Sequence, residues 1–253
     1  MVSFPAFITP DHVARVTDLD AADIAADFRT FGAVLFRGFL PDESAFEALT
    51  AVFSTDFLVD SGVTRLPVPH REPPTRQIRT PRPEHPFGLH AELSTSAARR
   101  PHILWLYCVT PAESGGETIL CDGAAVYARL SPQARAVFSL SARVQHTNRR
   151  PVSPLARASY ASTPAFANAL VGRPSYAALC RSVTMANGAP IPRLAWEEAK
   201  AVADTLTVAV RWRRGDLLMI DNHRCMHGRR PLPASDPRTL YSRVAWDLRS
   251  EHC

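Results

Sequence analysis

The sequence predicts a mostly β protein with flanking helices and a double-stranded β-helix core, the jelly roll of cupin-like folds. Short apolar runs recur along the chain, and 11 glycines and 22 prolines punctuate the sequence. Many short strands separated by such residues are typical of double-sheet jelly rolls. Helical periodicity is confined to a few segments that can brace one face of the sheets. A chain of 253 residues can bury a substantial core, and we predict a single domain over residues 1–253.

The individual elements follow from local patterns in the sequence. Residues 10–30 have helical periodicity, with Asp20 as an N-cap. Proline and arginine crowd residues 67–86, which predicts a loop leading towards residue 88. Further strands are predicted at 34–39, 102–109, 208–212, 216–220 and 240–246, and further helices at 124–130, 132–139 and 195–204. Residues 149–191 have loop character and predict a lid or insert that sets specificity.

His90, Glu92 and His227 form the strongest functional pattern in the chain. His90 and Glu92 are two residues apart, so on an extended strand both side chains would leave the same face. His227 follows an apolar run at residues 217–220, in polar sequence that predicts the turn ending this strand. Two histidines and one carboxylate are the ligand set that leaves half of an octahedral iron open. By itself, a His-x-Glu pair more often caps a loop or forms a surface ion pair.

Four ordered motifs connect these residues to a known family. They are residues 31–39, residues 88–94, Gly115-Gly116-Glu117-Thr118, and Asp221-Asn222 together with His227-Gly228-Arg229. In this order and spacing the motifs resemble those of the Fe(II)/2-oxoglutarate-dependent oxygenases of the taurine dioxygenase and clavaminate synthase type. The resemblance runs from about residue 28 to about residue 249, nearly the whole chain, which argues against chance. It also implies the double-stranded β-helix core.

The resemblance implies a site for Fe(II), 2-oxoglutarate and O2. The two histidines and the glutamate would bind the metal, and the resemblance assigns no catalytic residue beyond them. Thr118 and Arg238 match the family's residues for the distal carboxylate of 2-oxoglutarate, and a guanidinium suits this role because it can hold a carboxylate bidentately. Arg243 is an alternative to Arg238 for this role, because the spacing from His227 to Arg238 is one residue longer than in the family pattern. His223, close to the distal histidine, is expected to be a neighbour of the site rather than a ligand.

The implied reaction is hydroxylation of an unactivated C–H bond, with release of succinate and CO2. Glu92 fills the position that related halogenases leave to chloride, which favours hydroxylation over halogenation; desaturation or cyclisation would use the same site. The His-x-Glu form resembles the clavaminate synthase-like branch, and implies an amino acid or amino-acid derivative as the small-molecule substrate, in specialised metabolism. Arg76, Arg79 and Arg243 are candidates for binding its carboxylate, and Phe87 is a candidate substrate contact.

Composition argues against several kinds of partner and location. The net charge is +5, but Lys200 is the only lysine, and the arginines are scattered without the aromatic-interleaved basic stripe of nucleic-acid binding proteins. No apolar run approaches the roughly 20 residues needed to cross a bilayer. Five cysteines, not at zinc-site spacings, and an N-terminus without a secretory pattern predict a cytoplasmic protein with reduced thiols. The sequence does not indicate an oligomeric state.

Two other classes of function stay open at this point. A zinc hydrolase could use the same three side chains with a metal-bound water, but the chain lacks the HExxH helix pattern and a hydrolase would not need Arg238. A non-catalytic jelly-roll binding protein would not need to keep the metal-binding residues together with Thr118 and Arg238.

Overall fold

The computed structural model describes residues 4–10, 15–58, 65–67, 75–78, 80, 82–94, 100–140, 142–144, 151–152, 156–157, 163–166 and 170–249. Its strands are β1 (Ala6–Ile8), β2 (Ala33–Phe36), β3 (Arg65–Pro67), β4 (Arg76–Ile78), β5 (Phe87–His90), β6 (Ile103–Thr110), β7 (Thr118–Asp122), β8 (Ala142–Val144), β9 (Pro151–Val152), β10 (Ala156–Arg157), β11 (Pro164–Ala165), β12 (Val183–Met185), β13 (Val208–Val210), β14 (Leu217–Asp221), β15 (Cys225–Arg229) and β16 (Thr239–Ala245). Its helices are α1 (Ala21–Phe31), α2 (Glu43–Phe53), α3 (Gly123–Arg129), α4 (Pro132–Phe138), α5 (Tyr176–Ser182) and α6 (Arg193–Leu206), and a 3-10 turn spans Val16–Asp18.

Two sheets form the body of the fold. The larger sheet has the strand order β1-β2-β14-β6-β16-β4-β3, and the smaller has the order β13-β7-β15-β5. Strands distant in sequence lie side by side, so that β14 pairs antiparallel with both β2 and β6. An apolar cluster that contains Leu106 and Leu218 from the larger sheet and Leu120 from the smaller joins the two. Two packed sheets with such crossed connections form a jelly roll, which confirms the predicted fold class.

Strand β6 illustrates why the central strands are continuous apolar runs. Leu104 and Leu106 belong to the cluster between the sheets. Trp105 and Tyr107 point to the other face and belong to a second cluster, which includes residues of α1 and α2. Because both faces of the strand are buried, its sequence is apolar throughout and does not alternate with polar residues.

Helices cover the outer faces of both sheets. Residues such as Phe28 of α1 pack on the larger sheet, whereas α3 to α6 pack on the smaller sheet through a third cluster that includes Phe138 and Trp196. The predicted N-cap Asp20 accepts a hydrogen bond from the backbone N–H of Ala22 at 2.7 Å, so this start signal is confirmed. None of the described helices is long and apolar enough to cross a membrane.

Three predicted segments differ from the structure. The helix predicted over residues 10–30 is shorter, because α1 begins at Ala21 after the 3-10 turn, and residues 11–14 lie outside the described residues. The loop predicted over residues 67–86 contains β4, which pairs with β16. Strand β4 also pairs with β3, and the β16 partner lies far along the chain, which local sequence does not reveal. The segment 149–191 contains α5 and the short strands β9 to β12, in addition to loops.

One buried ion pair fixes the edge of the larger sheet to the turn before β14. Arg37 donates from Nε to both carboxylate oxygens of Asp216 and from Nη2 to Oδ2 at 2.6 Å. The Asp216 side chain is 1% exposed and that of Arg37 is 19% exposed. Removing one partner of such a pair leaves the other charge buried without compensation.

Replacing Arg37 with leucine is therefore expected to lower the free energy of unfolding by about 3 kcal/mol. The matched control is Arg15→Leu, which breaks an ion pair with Asp42 whose side chains are 62% and 31% exposed and is expected to cost less than about 1 kcal/mol. Urea unfolding at neutral pH measures both. Equal, small losses for the two variants would contradict the importance of the buried pair.

Candidate metal centre

Two neighbouring strands of the smaller sheet and the turn after one of them bring the predicted ligands together. His90 is the last residue of β5, and His227 lies opposite it in the middle of β15. One ligand atom each from His90, Glu92 and His227 lies within 4.8 Å of the other two. The His227 Nε2 and Glu92 Oε2 atoms are 3.8 Å apart, and the two imidazole centroids are 4.3 Å apart. This arrangement can hold one metal ion between two imidazoles and a carboxylate.

The local structure around the ligands differs from the sequence prediction in two respects. Glu92 does not share an extended strand with His90, because β5 ends at His90 and the chain turns through Glu92, with Leu93 in the left-handed region at φ 55°. His227 lies on strand β15 itself, whereas the turn predicted to hold it lies earlier, between β14 and β15. The short run at residues 225–229 pairs with both β5 and β7, and these partners make it a strand.

Hydrogen bonds to the backbone fix the ligand segments. Gly88 O lies 3.0 Å from Nδ1 of His90, a geometry in which the ring donates through Nδ1 and keeps the lone pair on Nε2. The fully buried Asn222 side chain accepts from the Glu92 N–H at 2.6 Å and donates to the Glu92 carbonyl at 3.0 Å. Asp221 accepts from two backbone N–H groups of its own turn. Both residues therefore shape the turn between β14 and β15, and Asn222 also ties that turn to the Glu92 backbone.

His223 lies apart from the cluster of ligand atoms. Its ring packs edge-on against His102, at 4.4 Å between centroids, and its Nε2 lies 3.2 Å from the carbonyl oxygen of Arg100. Burial, followed by the proximity of His102, lowers the pKa of His223 from 6.5 to about 4. This imidazole therefore stays neutral at physiological pH.

The His223 environment predicts a loss of stability in mild acid. The unfolded chain takes up a proton near pH 6.5, whereas the folded protein resists this proton until about pH 4. Stability is thus fully present above pH 6.5 and falls as the pH drops towards 4, by about 2 kcal/mol at pH 5. His223→Gln is expected to flatten this dependence in urea unfolding at pH 7 and 5. The exposed His85→Gln variant is the control. If the free energy of unfolding changes between pH 7 and 5 by the same amount in both variants, His223 is not the source of the acid sensitivity.

A cavity of about 250 Å³ opens beside the ligand cluster. Its wall combines the three candidate ligands, two arginines, two threonines and an apolar lining: His90, Glu92, His227, Arg229, Arg238, Thr80, Thr118, Ile78, Phe87, Leu104, Leu106, Gly228 and Leu240. Leucines from β6 and β16 form one side of it. Charge interactions are stronger next to such an apolar wall than in water.

Arg238 presents a cation to this cavity, and no carboxylate of the described residues pairs with it. Its Nη1 donates to the carbonyl oxygen of Gly116, and its buried Nε atom has no hydrogen-bond partner among the residues that the structure describes. Burial, and then the neighbouring Arg229, lower the pKa of Arg238 to about 10. Within the described part of the chain, no carboxylate is among the groups that shift it. A partly buried guanidinium with such partners can bind an anion that enters the cavity.

Thr118 and Arg229 complete the polar side of the cavity. The buried indole of Trp212 donates from Nε1 to Thr118 Oγ1 at 3.0 Å, which leaves the threonine hydroxyl proton available for another acceptor. Arg229 donates to the carbonyl oxygens of Pro83, His85 and Arg230, and burial lowers its pKa. Sequence reasoning quoted Arg229 within a motif but gave it no role, and it missed Trp212, whose contact with Thr118 crosses 94 positions.

Of the other candidate residues that the structure describes, Phe87 lines the cavity and Arg76 and Arg243 do not. The Arg243 side chain lies on the face of β16 opposite to Leu240. It donates to the Glu47 carbonyl and the Thr50 hydroxyl, and its guanidinium carbon lies 4.2 Å from the centroid of the Phe57 ring. Arg76 lies on β4 and does not line the cavity, and Arg79 lies outside the described residues. Phe87 lines the cavity, is 55% exposed and meets the His90 ring edge-on at 4.4 Å.

Comparison with known proteins identifies the family. The model of the family described as "Taurine catabolism dioxygenase TauD, TfdA family" matches residues 8–245. A clavaminate synthase-like protein from Arabidopsis thaliana is 39% identical over 51 residues, which are 20% of this chain and only 16% of that protein.

Solved structures share the fold along nearly the whole chain. A taurine dioxygenase from Burkholderia xenovorans has a TM-score of 0.73 at 22% identity, with 97% of this chain and 88% of that one covered. PvcB, described as an Fe, alpha-ketoglutarate dependent oxygenase from an isonitrile synthetic pathway, has a TM-score of 0.67 at 17% identity, with 94% and 85% covered. Because the family match spans almost the entire sequence, it confirms the predicted family and enzyme class: this chain belongs to the TauD/TfdA family of dioxygenases.

Proposed function

We propose that this dioxygenase hydroxylates an unactivated C–H bond of a small molecule, with an amino acid or amino-acid derivative as the substrate class. The observation that carries the proposal is the juxtaposition of two side-chain groups in one cavity. A two-histidine, one-carboxylate cluster occupies one part of its wall, and the partly buried Arg238, which pairs with no carboxylate of the described residues, occupies another. The first group suits iron and the second suits a dicarboxylate cosubstrate.

The predicted cofactors Fe(II), 2-oxoglutarate and O2 follow from membership of this dioxygenase family. We assign His90, Glu92 and His227 as the iron ligands. Their donor set fits, because two neutral imidazoles and one carboxylate are the protein ligands that non-haem oxygenases give to Fe(II), and the contact of His90 Nδ1 with the Gly88 carbonyl would leave Nε2 available to bind the metal. Bound iron supplies the oxidising chemistry that couples conversion of 2-oxoglutarate to succinate and CO2 with oxidation of the substrate.

We assign the distal carboxylate of 2-oxoglutarate to Arg238 and Thr118. Arg238 offers a positive charge that no carboxylate within the described segments neutralises, and the Thr118 hydroxyl can donate because Trp212 occupies its oxygen. Arg229 adds a second positive charge to the same wall. Leu104, Leu106 and Leu240 line the same cavity, so an ion pair with the cosubstrate would form beside an apolar wall that strengthens it and would hold the cosubstrate in one orientation.

The choice of hydroxylation rests on Glu92. Its carboxylate keeps the position that a halide would need, so halogenation is disfavoured. Desaturation and cyclisation would use the same residues. Product mass distinguishes the reactions, since hydroxylation adds one oxygen whereas desaturation and cyclisation remove two hydrogens.

The amino-acid substrate class rests on the resemblance to the clavaminate synthase-like branch and on the short match to its Arabidopsis relative. We assign Phe87, exposed beside His90, as a substrate contact, and Arg79 stays a prediction for the substrate carboxylate.

Anaerobic absorption spectroscopy of the purified protein tests this function. Fe(II) is added first and 2-oxoglutarate second, and a charge-transfer band that requires both is the expected result. The same protein is then screened with free amino acids under air for substrate-dependent succinate formation. A protein that gives no band under any condition would overturn the iron and 2-oxoglutarate assignment. A band without succinate formation on any amino acid would overturn only the substrate class.

A further inference from the structure

Three glycines bring the segment around residue 172 into direct backbone contact with the strands that carry the histidines. A Cβ atom on Gly88, in β5, would lie 2.2 Å from the carbonyl oxygen of Gly172, and one on Gly172 would lie 2.3 Å from that of Leu89. A Cβ on Gly228, in β15, would lie 2.5 Å from the carbonyl oxygen of Phe87. Side chains do not tolerate such distances, so the three backbones pack directly on one another.

This contact lies at the atoms that orient the metal ligands. The carbonyl oxygen of Gly88 lies 3.0 Å from Nδ1 of His90 and directs the opposite nitrogen, Nε2, into the cluster. Gly228 directly follows His227 on β15 and pairs with Ile119 of the neighbouring strand β7. A displacement of the Gly88 peptide would therefore rotate the His90 ring, which touches His227 at 4.3 Å between centroids.

The turn at residues 170–173, which contacts Gly88, packs on its other side against α6. Leu170 and Val171 are 2% and 4% exposed and belong to the apolar cluster under α6. The indole Nε1 of Trp196, in α6, donates to the Leu170 carbonyl at 3.1 Å, and the Arg173 N–H closes a turn onto the same carbonyl. The turn at residues 170–173 thus has a fixed support on one side and strand β5 on the other.

We infer that Gly172 is a positioning residue for the metal centre. By lacking a side chain, it lets the turn at residues 170–173 bear on the Gly88 peptide and hold the carbonyl that orients His90. The segment predicted as a lid is therefore coupled to a metal ligand through contacting backbone, from α6 to β5. This inference rests on the proposed function, because it takes His90 as an iron ligand.

The test substitutes Gly172→Ala and measures metal binding directly. Fe(II) affinity is measured anaerobically by calorimetry, and Co(II) is used as a paramagnetic probe of the exchangeable Nδ1 proton of His90 by NMR. The expected result is an Fe(II) dissociation constant raised about 10-fold, the size of effect found for residues that orient metal ligands, with a displaced His90 proton resonance.

A crowded glycine away from β5 gives the matched control. A Cβ on Gly123, at the start of α3, would lie 2.2 Å from the carbonyl oxygen of Phe166. Gly123→Ala therefore creates a steric clash as close as that of Gly172→Ala, and it is expected to lower the melting temperature by a similar amount. Its Fe(II) affinity is expected to stay close to that of the wild type. Equal Fe(II) affinities for Gly172→Ala and the wild type, despite lowered stability, would overturn the inference.

Trp196→Phe covers the case in which Gly172→Ala does not fold. It removes the hydrogen bond that supports the turn without adding an atom near β5, and it is expected to weaken Fe(II) binding and shift the same His90 resonance to a smaller extent. An unchanged resonance and affinity in this variant would overturn the inference. Absence of Fe(II) binding in the wild type would instead overturn the proposed function on which it rests.

Discussion

Replacing Arg238 with leucine is expected to raise the dissociation constant for 2-oxoglutarate about 100-fold while leaving the ligand-free protein as stable as before. The affinity loss corresponds to about 3 kcal/mol, the contribution of hydrogen bonds to a charged group in a buried site. Stability is retained because no carboxylate of the described residues pairs with this partly buried guanidinium, and its lowered pKa, about 10, reflects the cost of burying that charge. Anaerobic titration of the Fe(II) protein with 2-oxoglutarate and thermal unfolding of the apoprotein measure the two quantities.

Two further variants sharpen this test. Arg238→Lys keeps the charge but loses the planar fork, and is expected to lie between leucine and the wild type, at about a 10-fold loss of affinity. Arg230→Leu removes an arginine that is exposed and outside the cavity, and is expected to leave 2-oxoglutarate binding unchanged. If Arg238→Leu binds 2-oxoglutarate as well as Arg230→Leu does, the cosubstrate anchor lies elsewhere.

Replacing Glu92 with alanine is expected to weaken Fe(II) binding more than about 100-fold and to abolish measurable succinate formation. Residues that merely orient ligands contribute about 10- to 100-fold to metal affinity, so loss of a ligand should exceed that range. The carboxylate also supplies the negative charge that the two imidazoles cannot provide. Calorimetric titration with Fe(II) under argon, followed by a succinate assay under air, gives both values.

Glu92→Gln and Glu113→Ala serve as controls for size and charge. The glutamine variant keeps the shape and the backbone contacts with Asn222 but removes the charge, so it should lose most of the Fe(II) affinity. Glu113 is exposed and outside the cavity, so its loss should change neither quantity. If Glu92→Ala binds Fe(II) as tightly as the wild type does, this carboxylate is not a ligand, and the assignment of the three iron ligands is wrong.

Much of the fold was predictable because its signals are local. Strand β6 is a continuous apolar run bounded by polar residues, and Asp20 precedes a helical pattern, so both elements followed from the sequence alone. Strand β4 did not, because its three residues lie in proline- and arginine-rich sequence and gain their strand geometry by pairing with β3 and with the distant β16. The same reason explains why residues 225–229 form a strand although their sequence indicated a turn.

The candidate site divides in the same way. Residue types at ordered spacings sufficed to select His90, Glu92 and His227 as a metal-binding set and Arg238 and Arg243 as rival anchors. The sequence could not choose between the arginines, because an irregularity between Thr239 and Leu240 shifts the register of β16. The structure puts Arg238 in the cavity wall and Arg243 against α2, on the opposite face of the sheet.

The sequence by itself determined the family, the class of chemistry and the identity of the side chains that can perform it, because these depend on residue types in a fixed order. Only the tertiary structure decided which side chains share a cavity. Trp212 meets Thr118, Asn222 meets the Glu92 backbone, and Gly172 meets Gly88, each across a separation in sequence that no local pattern spans. Such contacts arise from the packing of two sheets and their helices, in which strand register and side-chain direction are set by partners distant in the chain.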